Sequence, residues 1–320
     1  MDILSIAAVV LLAAGSALAA WMLWVEPRRF RIWRRSLPLK TRRDAEDVSL
    51  VAGRLPPLRI LHITDTHLGG SDKVKMRFLR RVARETCDLA VLTGDLLDRP
   101  LGLEACFELA EMLNPRLGAY AVLGGHDHFF TEPRLGKYFS VHRAEPAPPE
   151  LRNPNPVRDL ITGMERRGVT ILADEHRRIE GPGGASFAVV GLRDAFVFDP
   201  DYDRAWGNLP ADEPTIVLAH SPDSLPEIAD RGADLAFFGH THGGQVRFPL
   251  VGAVVTRSHL STRRARGIFR EQETVFTLNH GVGAGRGSNF RLLCPPEVTV
   301  LRLCPDEQGP EETPDFVCTQ

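Results

Sequence analysis

Five short apolar runs in this chain each end in a residue type that binds metal, and that repetition restricts the folds open to it. Residues 58–64, with His62 inside, lead into Asp65-Thr66-His67, and residues 89–94 into Asp95. Residues 121–125 lead into His126-Asp127, 216–219 into His220, and 235–239 into His240-Thr241-His242. Apolar runs of this length, bounded by turn residues, read as buried strands. Open α/β sheets carry their chemistry just beyond the carboxyl ends of the strands. Five such ends can converge on one metal cluster. Alternate residues of an extended segment share a face, so Asp65 with His67, and His240 with His242, can each reach one ion.

Asp65, Asp95 and Gly125 follow one another at steps of about 30 residues, the length of one strand–helix–strand unit. Lys73 to Cys87 and Leu103 to Leu113 have helical spacing of apolar residues between the runs. The first third therefore reads as βαβαβ with a parallel sheet, and the chain as an α/β protein. Val157 to Arg167 reads as a helix, Val169–Leu172 and Ala185–Leu192 as strands, and Val246 to Leu303 as short strands and turns. Six prolines between 133 and 156 exclude a long regular element there. This long loop, 131–155, has an apolar side through Phe129, Phe130, Tyr138 and Phe139.

The amino terminus differs in kind. Ile3 to Trp24 holds no charged residue and is long enough to cross a hydrocarbon core. Trp21 and Trp24 suit a membrane interface. Arg28, Arg29, Arg31, Arg34, Arg35, Lys40, Arg42 and Arg43 follow, and the positive-inside rule puts this flank in the cytoplasm. A cleaved signal peptide is the competing reading, with Ala17-Leu18-Ala19 as a cleavage-like site, but the positive charge lies after the apolar run and not before it. The expected organisation is an anchor at 1–25, a basic juxtamembrane segment and linker at 26–57 ending in Pro56-Pro57, a globular domain at 58–305 and a tail at 306–320. The basic segment can also lie along anionic headgroups. A net charge of −2 argues against a partner bound mainly through phosphate contacts, such as nucleic acid. The five cysteines are scattered and form no Cys-x-x-Cys pair, which reads as free thiols.

Taken singly, each motif has an ordinary explanation: a helix cap for Asp95, a turn for Asp65-x-His67, a loop histidine for His220. Taken in order, Asp-x-His, Gly-Asp, Gly-x-His-Asp, His and Gly-His-x-His resemble the calcineurin-like metallophosphoesterase family. The resemblance runs from about Leu58 to Leu303. Gly239-His240-Thr241-His242-Gly243-Gly244-Gln245, Gly281-Val282-Gly283 and the stretch from Arg291 to Val298 are similar to its membrane-anchored bacterial branch. That branch includes envelope phosphodiesterases and a UDP-2,3-diacylglucosamine pyrophosphatase.

The resemblance implies a four-layered α/β/β/α sandwich after one transmembrane helix. It implies two divalent ions: Asp65, His67 and His242 on the first, His220 and His240 on the second, and Asp95 bridging both. His126 would serve the leaving group, with Asp95 or Asp127 orienting it. The mixed imidazole and carboxylate shell suits Mn, Fe or Zn. The implied activity is hydrolysis of a phosphodiester or pyrophosphate by metal-activated water. The expected substrate is a phosphorylated or nucleotide-linked lipid, at a bacterial inner membrane with the catalytic domain in the cytoplasm. Soluble substrates, or a weak enzyme that only binds phosphate, are the alternatives, because Gly125 stands where the family carries an Asn ligand. A water, His128 or a weakened second site would answer that gap. Arg286 and Arg291 are candidates for a substrate phosphate, since arginine presents a forked donor. Gly281 to Gly287 is glycine-rich but follows no first βαβ unit, so a dinucleotide site is not expected there.

Overall fold

The computed structural model describes residues 2–38, 54–70, 72–130, 132, 152–285, 288–304 and 313–316. Its first helix, α1 (Ile3–Ala20), starts at Asp2, whose carboxylate accepts from the Ser5 amide at 2.7 Å. No residue of α1 is buried, and helical backbone continues through a π-turn and a 3₁₀ turn to Arg28. The run Ile3–Arg28 is long and apolar enough to cross a membrane.

The chain then proceeds through β1 (Arg31–Pro38), β2 (Arg59–Ile63), α2 (Lys73–Val82), β3 (Leu89–Thr93), α3 (Leu103–Met112), β4 (Ala119–Val122), the short α4 (Gly125–His128), β5 (Phe129–Phe130), β6 (Asn153–Pro154), α5 (Val157–Glu165), β7 (Val169–Ile171), β8 (Glu175–Glu180) and β9 (Ser186–Gly191). There follow α6 (Tyr202–Trp206), β10 (Thr215–Leu218), α7 (Leu225–Asp230), β11 (Leu235–Phe238), β12 (Arg247–Phe248), β13 (Gly252–Ala253), β14 (Gly267–Glu271), β15 (Thr274–Leu278), β16 (Glu297–Cys304) and β17 (Thr313–Phe316). One sheet runs β17-β1-β16-β2-β3-β4-β7 and the other β14-β15-β11-β10-β9-β8. Strands β2, β3, β4 and β7 are parallel neighbours, and so are β9, β10, β11 and β15.

Three apolar clusters give the layers. Leu79, Leu109 and Leu160 of α2, α3 and α5 pack on the outer face of the first sheet. Ile60, Val91 and Leu301 meet Val189, Leu218 and Phe237 between the sheets. Ala205 and Ile228 of α6 and α7 cover Val217 and Phe238 on the far face of the second. This is the α/β/β/α sandwich expected from the resemblance. The helices expected from spacing form with slightly shorter ends. Tyr138 and Phe139 lie outside the described residues; Phe129 and Phe130 pair with Asn153 and Pro154.

The expectation of a basic juxtamembrane segment and linker over 26–57 is corrected at residues 31–38, which form β1. Its residues pair in parallel with β16, from Arg31 opposite Glu297 to Pro38 opposite Cys304, and antiparallel with β17 of the expected tail. The basic run hides this because its apolar members are interspersed with arginines. Phe30, Ile32 and Leu37 are buried, and Phe30 stacks on Phe78 of α2 at 4.8 Å. Arg34 and Arg59 share Glu85, at 2.6 and 2.7 Å. Part of the charge expected at the headgroups is thus used inside the fold. Lys40, Arg42 and Arg43 lie outside the described residues. Cys87, Cys106, Cys294 and Cys304 are free thiols.

If β1 is a structural strand, Ile32→Ala removes buried methyl groups and lowers unfolding free energy by about 2–5 kcal/mol. Urea unfolding of the detergent-solubilised chain measures this; a change within error would mean that residues 31–38 contribute no core.

Candidate metal centre

The carboxyl ends of the parallel strands place the sequence-predicted residues together. Asp65 and His67 follow β2, Asp95 follows β3, His220 follows β10, and His240 and His242 follow β11. Five of these six take a left-handed backbone: Asp65 (φ 50°), His67 (42°), Asp95 (51°), His240 (68°) and His242 (48°). Each such residue costs about 1–2 kcal/mol relative to ordinary backbone. Strain of this kind, concentrated in one place, is found where a site must aim side chains.

Donor atoms of Asp65, His67 and His242 lie within 4.8 Å of one another, as do those of Asp65, Asp95 and His220. His67 Nε2 is 3.6 Å from Asp95 Oδ2, His220 Nε2 is 3.3 Å from the same oxygen, and His242 Nε2 is 3.5 Å from Asp65 Oδ1. His220 donates from Nδ1 to the Thr93 carbonyl at 2.7 Å, so Nε2, toward Asp95, is the nitrogen left to offer a lone pair to a cation once deprotonated. His240 donates from Nε2 to the Arg257 carbonyl at 3.0 Å, which leaves the lone pair on Nδ1. The His240 ring lies 5.3 Å from His220 and 4.6 Å from Phe196.

The cluster fits a cation better than it fits an apolar core. His67 Nε2 and His220 Nε2 are buried with no hydrogen-bond partner, and so is His242 Nδ1. Buried polar atoms are normally satisfied. Burial raises the Asp65 carboxyl, against the pull of His220. Burial would raise Asp95 too, but His220, His126 and His67 outweigh it and hold that carboxyl well below the usual range. Burial opposes protonation of His220, yet Asp95 and Asp194 raise it well above the ordinary histidine value. Burial, then His67 and Arg291, push His242 well below it. Two carboxylates among imidazoles with inward lone pairs form a donor set for borderline divalent metals.

Comparison with known proteins agrees with this geometry. Residues 58–244 match the model of the calcineurin-like phosphoesterase family. The chain belongs to that family. It is 25% identical to the UDP-2,3-diacylglucosamine pyrophosphatase LpxG of Chlamydia trachomatis, over 91% of this chain and 94% of that one. It is 28% identical to the phosphodiesterase YaeI of Escherichia coli, over 77% and 82%. It is 30% identical to a bovine transmembrane protein with a metallophosphoesterase domain, over 80% of this chain and 56% of that protein. The chain is thus a metallophosphoesterase, a hydrolase of phosphoester bonds.

Around the cluster, this metallophosphoesterase uses residues that the motif reading missed. Asp98, three residues past Asp95, lies 3.5 Å from His67 Nδ1 and 3.7 Å from His126 Nδ1. Asn155 donates to the His126 carbonyl at 2.7 Å. No local signal marks Asp98, which lies in the loop after β3 and owes its role to partners distant in sequence. His126 is partly exposed, donates its amide to Asp95 Oδ1 at 2.8 Å and sets its ring edge-on to His67 at 4.8 Å.

Two expected roles are corrected. Asp127 does not orient the His126 ring. Its carboxylate accepts from the Leu97 and Gly124 amides, both at 2.8 Å, and so ties β3's exit to the start of α4. Burial, then Asp95, raises it to about 7. Arg291 is fully buried and does not face substrate. Its guanidinium donates to the carbonyls of Cys294, His280, Gly281 and Gly283. This holds Gly281 and Gly283 against Asp65 and Thr66, where a Cβ would come within 2.5 Å of Asp65 Cβ and 2.4 Å of the Thr66 carbonyl. Arg286 lies outside the described residues.

The space beside Gly125 is occupied by protein. A Cβ there would sit 2.9 Å from Val197 Cγ2, and the Gly125 amide donates to Asp194 Oδ2 at 2.9 Å. Asp194 also accepts from Phe196 at 3.0 Å, which shapes the turn bearing Val197. His128 turns toward Phe198, at 4.8 Å.

Gly125→Asn alone overpacks this turn, so it destabilises by about 1–3 kcal/mol with no gain in hydrolysis. Adding Val197→Ala recovers the melting temperature; a single variant as stable as the parent would contradict this packing. Asp127→Asn leaves one backbone amide facing an amino group and destabilises by about 1–3 kcal/mol, read by thermal unfolding.

Proposed function

We propose that this chain is a membrane-anchored, metal-dependent phosphoesterase that cleaves a phosphodiester or pyrophosphate bond in a lipid-linked substrate, with UDP-2,3-diacylglucosamine as the specific candidate. The supporting observation is the convergence of Asp65, His67, Asp95, His220 and His242, whose donor atoms form two groups sharing Asp65, with the His240 ring 5.3 Å from His220 beside them. LpxG is named for that nucleotide-linked lipid, and one relative is named as a transmembrane protein.

In this reading Asp65, His67 and His242 would hold one ion, His220 and His240 would hold a second, and Asp95 would serve both, with Mn, Fe or Zn as the expected metals. When bound, such ions supply an acidified water and neutralise phosphoryl oxygens. The chain's own groups do the rest. Thr93 fixes the tautomer of His220, and Arg257 that of His240. Asp98 positions His67 from the side away from the cluster. His126, the more exposed imidazole beside the cluster, carries the proton to the leaving oxygen. The displacement is in line at phosphorus, with no covalent intermediate on the protein. Arg28 and Arg29 at the foot of the helix support a cytoplasmic catalytic domain at the inner membrane.

Asp95→Asn should lower kcat by about 10²–10³-fold or more, with the fold intact by circular dichroism. Asp98→Asn should cost about 10–100-fold in metal affinity or activity, partly restored by excess Mn²⁺. Both are measured on the detergent-solubilised chain with bis(p-nitrophenyl) phosphate and with UDP-2,3-diacylglucosamine in mixed micelles. A strong preference for the water-soluble ester would defeat the lipid assignment, and full activity after exhaustive chelation would defeat the metal assignment.

A further inference from the structure

The segment between the metal cluster and the helix exposes apolar side chains that the folded domain does not use. Immediately after the His242–Gly244 turn, the β12–β13 hairpin carries Phe248, Leu250 and Val251, with Val254 just beyond it. All four are exposed, and Leu250 is as open to solvent as in an extended peptide. Isolated exposed apolar residues are ordinary, but a contiguous group marks an interaction surface.

Backbone hydrogen bonds place this group beside α1. The Arg291 amide donates to the Met22 carbonyl at 3.0 Å. One residue on, Leu292 donates to the Gln245 carbonyl at 3.0 Å and accepts from the Arg247 amide at 2.9 Å. Leu293, next in line, is exposed. Glu26 closes the joint: it accepts from the Cys294 amide at 3.2 Å and from Trp21 Nε1 at 2.7 Å. Helix end, 291–294 loop and hairpin base are therefore neighbouring segments joined by direct backbone hydrogen bonds.

Depth follows from length. About 20 helical residues at 1.5 Å each span a hydrocarbon core. Counted from Ile3, they end at Met22, the residue that holds Arg291. Trp24 is exposed just past this point and Arg28 a turn later, the order that a membrane interface requires. The 291–294 loop and the hairpin base thus lie at the depth where the helix leaves the lipid.

We propose that the β12–β13 hairpin inserts its apolar tip into the bilayer interface beside α1, so that the domain rests on the membrane with the His242 side of the metal cluster turned toward the headgroups. This rests on the reading of α1 as a membrane span. The occupant is the lipid surface and not a second copy of the chain, because the patch is continuous with the foot of the helix. The consequence is a domain docked at two points, which limits its tilt and keeps headgroup-linked phosphates within reach.

The test uses the full chain in vesicles of phosphatidylethanolamine and phosphatidylglycerol. An environment-sensitive fluorophore is attached at Leu250→Cys, at Val251→Cys and, as a control, at Arg116→Cys. Arg116 lies at the amino ends of β3 and β4, the pole away from the cluster. The parent chain, labelled identically, gives the background from native thiols. The expected result is blue-shifted emission at 250 and 251, quenched by nitroxide-bearing lipids, with neither change at 116. If the chain floats with vesicles but 250 and 251 behave as 116 does, the hairpin inference is overturned and the anchor reading stands. If the chain does not float at all, the anchor reading fails and this inference with it. Blue shift without lipid quenching, together with a concentration-dependent increase in mass, would assign the patch to a second copy and also overturn the proposal.

Discussion

Two buried carboxylates, Asp65 and Asp95, lie in one pocket with four imidazoles around them, and the structure is arranged about that fact. Like charges brought out of water repel and lose solvation, and only close opposite charge makes the arrangement tolerable. Without a bound ion, a proton on His220 Nε2 supplies part of that charge against Asp95, and a cation would displace it. The remaining lone pairs call for a cation. The left-handed backbone at Asp65, His67, Asp95, His240 and His242 is the conformational cost of turning these side chains inward at strand ends. The extensive apolar core of three layers holds those ends in place.

The same constraint explains the role of Arg291. Its buried guanidinium gathers four carbonyls of the 280–294 region and presses that backbone against Asp65 and Thr66. Burial lowers its affinity for protons, and neighbouring Cys294 and Asp65 counter this. The Arg291 amide meanwhile reaches Met22. One residue thus links the foot of the apolar helix to the cluster, and the helix is joined to the domain by hydrogen bonds and not by a free tether.

The metal-binding residue types were legible because each chemical type had to sit at the end of an apolar run, and both apolar run and terminal residue are local signals. Asp98 and Asp194 were not legible. Each is an ordinary aspartate in sequence, and its significance depends on partners far along the chain: His126 for Asp98 and the Gly125 amide for Asp194. Arg291 was misread for the same reason, since nothing local distinguishes a guanidinium facing substrate from one buried among carbonyls. Strand β1 was misread because its arginines obscured Ile32 and Leu37, in a strand whose pairing depends on β16, more than 250 residues later.

The linear pattern by itself determined the α/β class, the apolar helix, and the residue types available for metal binding, since these follow from periodicity and side-chain chemistry. Only the tertiary structure decided which nitrogen of His220 and of His240 is engaged by a backbone carbonyl, that Val197 fills the space at Gly125, and that Asp127 braces backbone instead of acting on His126. Those outcomes depend on atoms brought within a few ångströms from distant parts of the chain, and no local rule carries that distance.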